Sequence, residues 1–500
     1  MTGRPAPPRR GRPGSRGPRP NRPAARRDAD PARRAAYDLL RAVDERAAYA
    51  NLTLPGLLRD RGLTGRDAAF ATELGYGTLR ATGTLDAILA RCADRPLEAV
   101  DPDVRAALRL GAYQLLRTRV PPHAAVSATV DLAPRRAAGF VNAVLRRVAR
   151  RDWDAWVDAV APADPLGRLA VRHAHPAWIA GAFQLALGGD LAETGAALAA
   201  DDVRPETHLV ARPGRIDRDE LAAASGGEPG PWSPYAVRLT GGGDPGALAA
   251  VRDGRAGVQD EGSQLCALAL VAGPLDGPDR TWLDLCAGPG GKAALLGSLA
   301  VHRGPAGPAG PAGTAGPGAT VPAGSPPAAS AASDAAAGAR VLAVELAAHR
   351  ARLVAGATAG LPVTVLRADG TAPPVRPGSV DRVLVDAPCT GLGALRRRPE
   401  ARWRRNESDL ADLTRLQRAL LRSALATVRS GGLVAYVVCS PHPAETRDVL
   451  ADVLADGTAD ELDARPLLPG VPDLGPGPHV QLWPHRHGTD AMFCALLRRR

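Results

Sequence analysis

Residues 283–292 read Leu-Asp-Leu-Cys-Ala-Gly-Pro-Gly-Gly-Lys, a short apolar segment followed by a glycine-rich turn and the start of a helical pattern. Glycine carries no Cβ, so a turn of this kind lets the backbone lie close to a ligand. The stretch does not fit a Walker-type phosphate loop, because Cys286 stands where that loop needs Gly and Ala293 where Ser or Thr would hold magnesium. It predicts an α/β nucleoside-binding domain and argues against a nucleoside triphosphatase.

The chain after Val258 alternates short apolar segments with amphipathic ones, which is typical of a parallel sheet with helices between its strands. A helix is predicted over 409–428, with its leucines forming the core face: Leu410, Leu413, Leu416, Leu420 and Leu421. The predicted strands are Thr281–Cys286, Val341–Glu345, Val363–Leu366, Arg382–Asp386 and Leu433–Cys439.

Residues 302–338 interrupt this pattern and consist almost wholly of Gly, Pro, Ala and Ser, which predicts a flexible insert. Asp284 and Glu345 are 61 positions apart, and removing the 37 residues of the insert leaves 24. That interval is close to the roughly 20 residues between the glycine-rich loop and the acidic residue that binds ribose hydroxyls in Rossmann-type sheets. The insert therefore interrupts a nucleoside-binding unit without destroying it.

Lys292 is the only lysine among 63 cationic Lys and Arg side chains. An ammonium is compact and its pKa can shift, whereas a guanidinium is planar and always charged, so the two are not interchangeable at a chemical site. The composition favours a chemical role for Lys292, although a lysine retained at the surface by chance is the alternative.

Two further predicted strand ends carry cysteines, Cys389 in Asp-Ala-Pro-Cys-Thr-Gly and Cys439 in Val-Cys-Ser-Pro. The carboxyl ends of parallel strands lie along one edge of a sheet, where ligands bind. Any single thiol could be a buried structural residue. The six cysteines form no Cys-x-x-Cys pair, so we expect no metal site and treat the thiols as candidates for chemistry. Asp284, Lys292, Glu345, Asp369 and Asp386 are predicted at the same edge.

The first third of the chain has a different character. Residues 1–29 form a tail rich in Arg and Pro, and its composition predicts disorder and unselective affinity for RNA. Within it, residues 1–27 contain nine arginines and no acid, so they carry nine of the net +11 charges. Residues 30–152 show helical spacing throughout, which predicts an all-α domain, and 160–255 predict a small α/β connector before a catalytic domain at 256–500. The chain has no long apolar run, so we expect a cytoplasmic protein with no membrane contact.

The motifs together resemble the RNA cytosine-5 methyltransferases that use S-adenosyl-L-methionine, including Val-Gln-Asp-Glu-Gly-Ser-Gln at 258–264. The helical domain, which ends in Gly-Phe-Val-Asn-Ala-Val-Leu-Arg-Arg at 139–147, resembles the NusB-like RNA-binding domain. This pairing, with Leu-Trp-Pro-His-Arg-His-Gly-Thr-Asp at 482–490, is similar to the RsmB/Sun (Fmu) family of bacterial 16S rRNA methyltransferases. The resemblance implies a multidomain fold, an all-α NusB-like domain followed by an α/β Rossmann-like methyltransferase domain. It also implies 16S rRNA as partner, free or in a partly assembled small subunit, and a monomer.

The resemblance also implies roles for individual residues. Cys439 would attack carbon 6 of cytosine, Cys389 would help release the product, and Asp386 would hold the amino edge of the base. Glu345 would bind the ribose hydroxyls of the cofactor and Asp369 its adenine amino group. Our own hypothesis for Lys292 is electrostatic: its ammonium would lower a thiol pKa and stabilise charge on the ring. The full predicted cofactor set is Cys286, Ala287, Gly288, Pro289, Gly290, Gly291, Lys292, Glu345, Arg350, Asp369 and Asp386.

Three positions depart from the family pattern: Gly288 stands where Ala is usual, Glu345 where Asp is usual and Val438 where Thr is usual. Two alternatives remain open, the same chemistry on tRNA and a non-catalytic, antitermination-like RNA-binding factor. An arginine run after the Pro-Cys motif could bind RNA phosphates or simply form a solvated face. The run consists of Arg396, Arg397, Arg398, Arg404 and Arg405.

Overall fold

The computed structural model describes residues 30–241, 243–302 and 338–500. The predictions for the tail and for most of the 302–338 insert therefore lie outside the described residues. No helix in the described ranges is both long enough and apolar enough to cross a membrane.

The first domain is all-α, as predicted, with one apolar core shared by its helices. Several of these helices begin at an aspartate that caps free backbone N–H groups, as where the carboxylate of Asp30 accepts from Arg33 N at 2.8 Å. The helices are α1 (Pro31–Arg46), α2 (Ala50–Asp60), α3 (Gly65–Cys92), α4 (Pro102–Arg117), α5 (Pro122–Leu132), α6 (Ala138–Val148) and α7 (Trp153–Val160).

The middle of the chain has a helical part and then a small antiparallel sheet with strand order β2-β3-β1-β4. Strand β4 lies just beyond the predicted connector, yet it pairs with β1 and so completes this sheet. The elements are α8 (Pro165–Arg172), α9 (Ala177–Ala186), α10 (Leu191–Asp201), β1 (Thr207–Ala211), α11 (Arg218–Ser225), β2 (Glu228–Pro229), β3 (Ala236–Leu239), α12 (Ala249–Arg252) and β4 (Ala256–Val258).

The last part is a mixed eight-stranded sheet of order β10-β12-β9-β8-β5-β6-β7, with β11 paired to β12. Strands β5 to β9 are parallel, and β12 joins β9 antiparallel. The elements are α13 (Glu261–Ala272), β5 (Thr281–Asp284), α14 (Gly291–His302), β6 (Arg340–Val344), α15 (Ala348–Ala357), β7 (Val363–Leu366), β8 (Val380–Asp386), α16 (Ala401–Arg404), α17 (Asp409–Thr427), β9 (Val428–Val438), α18 (Arg447–Leu454), β10 (Ala459–Leu462), β11 (Val480–Gln481), α19 (Pro484–His487) and β12 (Phe493–Arg499).

All five predicted parallel strands exist, and β7 has its predicted bounds. Strand β9 begins five residues earlier than predicted, at Val428, because it pairs there with Val380 of β8. The predicted core face of α17 is partly wrong. Leu416 is 37% exposed, whereas Thr414 and Gln417 are buried. Gln417 faces inward because its amide hydrogen-bonds the loop after β8.

The segment 392–405 joins the catalytic sheet to the helical domain. Trp403 donates from Nε1 to Leu79 O at 3.0 Å, and Arg404 donates to the carbonyls of Val43 and Ala48 at the end of α1. Arg402 is fully buried and donates to Ala174 O at 2.8 Å. This segment therefore fixes the helical domain beside the loop that carries Cys389.

The prediction that the arginine run binds RNA phosphates is wrong for three of its members. Arg396 and Arg397 pair with Asp490 through Nε at 2.9 Å each, and Arg404 is used by α1 as described. Because these guanidinium groups hold the fold together, they are not available to a phosphate. Arg405 lies 3.7 Å from Asp409 and is 41% exposed, which matches the solvated alternative.

Candidate active site

The glycine-rich turn links the end of β5, at Asp284, to the start of α14, at Gly291. Gly290 has φ +108°, and a Cβ there would lie 3.0 Å from Val354 Cα on α15. Both the backbone angle and the close approach of α15 require glycine. Glycine at this position therefore lets the turn pack closely against α15.

Glu345 follows β6 and binds the turn directly. Its Oε2 accepts from Gly288 N at 3.1 Å and its Oε1 from Ala347 N at 2.9 Å. Arg350 donates to Gly288 O at 2.6 Å and lies 3.5 Å from the Glu345 carboxylate. The predicted residues Gly288, Glu345 and Arg350 thus form one connected cluster at the carboxyl ends of β5 and β6.

Asp284 is fully buried, and no side chain among the described residues hydrogen-bonds its carboxylate, although the nearby backbone N–H of Cys286 acts to lower its pKa. Burial, with the negative charge of Asp386 nearby, raises the pKa of Asp284 from 3.8 to about 7. An unpaired buried carboxylate costs free energy, so this position suits a ligand that brings a positive charge. The sequence had placed Asp284 at the edge without giving it a role.

Lys292 lies in the first turn of α14, and its Nζ is 2.8 Å from Asp386 Oδ2 at the end of β8. The lysine is only 9% exposed, so the surface alternative is wrong. Burial acts to lower the pKa of Lys292, but Asp386 and the nearby thiols outweigh it and hold that pKa above its ordinary value. Lys292 therefore forms an ion pair with Asp386, and its ammonium stays charged.

Cys389 and Cys439 lie at neighbouring strand ends with their sulfur atoms 3.5 Å apart. The hydrogen bond between the two thiols lowers the pKa of Cys439 against the effects of burial and of the Asp386 charge, and the charges of Lys292 and Arg398 lower it further. That same hydrogen bond, together with burial, raises the pKa of Cys389 well above its usual range. These opposite directions favour a thiolate on Cys439 and a proton on Cys389.

A buried glutamate that sequence reasoning missed holds the two cysteine loops together. Glu445 is fully buried, and its Oε1 accepts from Thr390 N at 2.8 Å and from Gln417 Nε2 at 3.1 Å. Thr390 Oγ1 also lies 3.1 Å from Ser440 Oγ. The only signal in the sequence was an acid six residues after Cys439, which no motif rule singles out.

Asp369 and Cys286, two other predicted cofactor residues, lie outside the cluster formed by Gly288, Glu345 and Arg350. Asp369 is exposed, and its Oδ1 accepts from the N and Oγ1 of Thr371 at 2.8 Å each, so it at least serves a turn. Those hydrogen bonds lower the pKa of Asp369, whereas burial raises the pKa of Cys286. Gln259, another residue not predicted, lies 3.7 Å from where a Gly291 Cβ would be.

Comparison with known proteins gives two family matches. The family described as 16S rRNA methyltransferase RsmB/F matches residues 329–498, and the NusB family matches residues 30–150. A Mycobacterium tuberculosis (strain ATCC 25618 / H37Rv) protein named "Putative methyltransferase Rv1407" is 55% identical over 97% of this chain and 99% of its own. The ribosomal RNA small subunit methyltransferase B of Sodalis glossinidius is 32% identical over 79% of this chain and 82% of its own.

The chain belongs to the RsmB/F methyltransferase family. The predicted resemblance is therefore confirmed, as is the cofactor, S-adenosyl-L-methionine. The crystal structure of PH0851 shares the fold, with a TM-score of 0.72 and 20% identity over 94% of this chain and 98% of that one. The predicted fold class, a NusB-like helical domain with a Rossmann-like methyltransferase domain, is confirmed as well.

The residues around the turn fit the RsmB/F cofactor. S-adenosyl-L-methionine ends in an amino acid whose ammonium can donate three hydrogen bonds, and Asp284 presents a buried carboxylate with no side-chain partner among the described residues. Glu345 and the peptides of 287–291 lie at the same edge. Pairing with an ammonium would offset the desolvation of Asp284.

Val438 stands where the family usually has Thr, and the loop that carries Cys439 is held by other hydrogen bonds. Val438 is fully buried in the core of the sheet. The hydroxyl lost from that position is not needed to hold the loop, because Ser440 and Thr390 hydrogen-bond each other beside Glu445. The polar support of this loop therefore comes from Ser440, one residue after Cys439.

Proposed function

We propose that this protein transfers a methyl group from S-adenosyl-L-methionine to carbon 5 of a cytosine in 16S rRNA, through a covalent adduct on Cys439. The observation that carries the proposal is the thiol pair, with 3.5 Å between its sulfur atoms, beside the Lys292–Asp386 ion pair. The substrate is rRNA, free or in a partly assembled small subunit, and the enzyme acts as a monomer in the bacterial cytoplasm.

Carbon 5 of cytosine is a poor nucleophile and needs activation. The thiolate of Cys439 adds to carbon 6, which converts the ring into an enamine whose carbon 5 can take a methyl group. The bound cofactor supplies that methyl group. Loss of the carbon 5 proton to a base and expulsion of the Cys439 thiolate then restore the ring. Cys389 helps this release by donating its S–H to the departing sulfur.

Lys292 and Asp386 serve the base and the thiolate. The ammonium of Lys292 stabilises negative charge on the Cys439 sulfur, so it acts to lower the pKa of that thiol against the opposing charge of Asp386. Asp386 is 29% exposed, so its carboxylate can accept from the 4-amino group of cytosine while it holds Lys292. The cofactor is held by Asp284, Glu345, Asp369 and the turn at 286–291, with Arg350 fastening Gly288.

The helical domain positions the RNA. Its surface has a cavity of about 470 Å³ lined by four arginines at the ends of α3 and α6, which are Arg91, Arg147, Arg150 and Arg151. Arg147 pairs with Asp94, and Arg151 lies over the Trp156 ring at 5.1 Å. This arginine surface supports a role in binding the RNA backbone, because clustered guanidinium groups attract phosphates.

The test uses full-length protein and 16S rRNA from cells that lack it. Wild type is expected to form 5-methylcytosine at one position, and Cys439→Ala to form none. Cys389→Ala is expected to accumulate a protein–RNA adduct, because release of Cys439 is slowed. Cys92→Ala is the control, since that thiol is buried in the helical domain.

Three results would decide against parts of the proposal. Turnover by Cys439→Ala would remove the covalent mechanism, and methylation of tRNA instead of 16S rRNA would change the substrate. A wild-type protein that binds RNA without transferring a methyl group would favour the antitermination-like alternative.

A further inference from the structure

We propose that Arg398 binds the phosphate next to the target cytidine, at the entrance to the thiol pair. This inference rests on the proposed function and adds to it a specific contact with the RNA backbone. It assigns a substrate-positioning role to one arginine of the run that follows the Pro-Cys motif.

The other arginines in 396–404 are occupied by the protein itself. Arg396 and Arg397 pair with Asp490, and Arg397 also donates to Asp260 Oδ1 at 2.6 Å. Arg402 and Arg404 donate to backbone carbonyls of the helical part of the chain. Arg398 differs from all of them: it is exposed, and no side-chain hydrogen bond or ion pair joins it to any residue in the ranges that the structure describes.

The backbone connects Arg398 to the nucleophile through a short, well-fixed turn. Gly393 N donates to Cys439 O at 2.9 Å, and Arg398 N donates to Ala394 O at 3.2 Å. Gly393 is tightly enclosed, because a Cβ there would lie 2.0 Å from Ala491 O. The turn that presents Arg398 is therefore anchored to the carbonyl of Cys439 itself.

Because this turn is fixed to Cys439, it keeps Arg398 on the side of the sheet that carries the thiols. The positive charge of Arg398 adds a small contribution that lowers the pKa of Cys439. An exposed guanidinium without a protein partner can bind a phosphate in a bidentate manner. When carbon 6 of the base lies at Cys439, the phosphodiester of the same or adjacent nucleotide must lie within a few ångströms of this entrance. Among the arginines of 396–404 in the described chain, Arg398 is the one whose guanidinium has no side-chain hydrogen bond or ion pair, so it is free to make this contact.

The experiment compares full-length Arg398→Gln, Arg398→Lys and Arg405→Gln in steady-state methylation of unmethylated 16S rRNA. Arg398→Gln is expected to raise the KM for RNA about tenfold and to leave the KM for S-adenosyl-L-methionine unchanged. It should also reduce the salt slope of RNA binding by about one unit, because one phosphate contact is lost. Arg398→Lys should recover part of the RNA affinity, and Arg405→Gln should behave as wild type.

Unchanged RNA KM and salt slope in Arg398→Gln would overturn the inference. An equal loss in Arg405→Gln would overturn it too, since the effect would then be general to the charge of this surface. A rise in the cofactor KM of similar size would show a structural role and count against it. If the proposed function itself were wrong, the result would differ, because the wild-type protein would then transfer no methyl group to the RNA.

Discussion

At the scale of single residues, two departures from the family pattern compensate for each other. Glu345 is one methylene longer than the usual Asp, and its Oε2 reaches Gly288 N at 3.1 Å. A Cβ at Gly288 would lie 2.3 Å from that same oxygen and 2.6 Å from Arg350 Nε. The usual Ala would therefore collide with the longer acid, so Gly at 288 and Glu at 345 belong together.

This pairing makes a double-mutant prediction. Gly288→Ala is expected to weaken S-adenosyl-L-methionine binding about tenfold, because Glu345 and Arg350 must move away from the turn. Glu345→Asp should also weaken binding, since the shorter acid no longer reaches Gly288 N. The double variant restores the family combination and should bind more tightly than Gly288→Ala alone, as measured by titration calorimetry.

Gly356→Ala on α15 is the matched control, because nothing lies within 4 Å of the added methyl. Strictly additive losses in the double variant would mean that the two positions act independently.

At the scale of elements, the segment 392–405 has two tasks. Its first turn fastens the thiol loop through Gly393 and Cys439, and its end fastens the helical domain through Trp403 and Arg404. The Trp403 ring packs against α3 so closely that a Cβ at Gly83 would lie 2.2 Å from it. The position of the helical domain is therefore coupled to the loop beside the nucleophile.

Removing the contact between Trp403 and α3 should weaken the attachment of the helical domain to the catalytic domain. Trp403→Ala is expected to lower the stability of the docked helical domain by about 3 kcal/mol, through lost packing and the loss of the hydrogen bond to Leu79 O. Differential scanning calorimetry should show one transition in wild type and an earlier, separate transition in the variant. Leu416→Ala is the control, because that leucine is 37% exposed on α17. A single unshifted transition in Trp403→Ala would contradict the coupling.

At the scale of the whole molecule, the RNA has to reach both the arginine surface and the thiol pair. Replacing Arg91, Arg150 and Arg151 together by Gln is expected to weaken RNA binding. The slope of log binding constant against log salt concentration should fall by about two to three units, because each lost guanidinium removes one contact with a phosphate. The KM for the cofactor should not change. Filter binding across a range of salt concentrations measures the slope.

A second triple variant with Gln at exposed arginines outside the helical domain, Arg252, Arg376 and Arg447, removes the same charge. Equal slopes for the two triple variants would show that only net charge matters and that the helical domain does not position the RNA.

Much of this protein follows from local sequence. The alternation of apolar and amphipathic segments is enough to predict the parallel strands and the all-α domain, because burial periodicity is a local property. The glycine-rich turn, the two thiols, Glu345 and Asp386 could be placed on one sheet edge, since parallel strands end together. The motifs also carried the family resemblance, which the family matches confirm.

Only the tertiary structure decided which groups meet. From the sequence, Lys292 stands out only as the single lysine of the chain. In the structure its Nζ lies 2.8 Å from the carboxylate of Asp386, a residue 94 positions later at the end of another strand. The arginine run looked uniform in sequence, yet most of its members bind the protein and Arg398 alone among 396–404 faces solvent unpaired. Residue type and spacing determine what a strand end can carry. Pairing depends on which distant chains pack together, and local sequence does not encode those contacts.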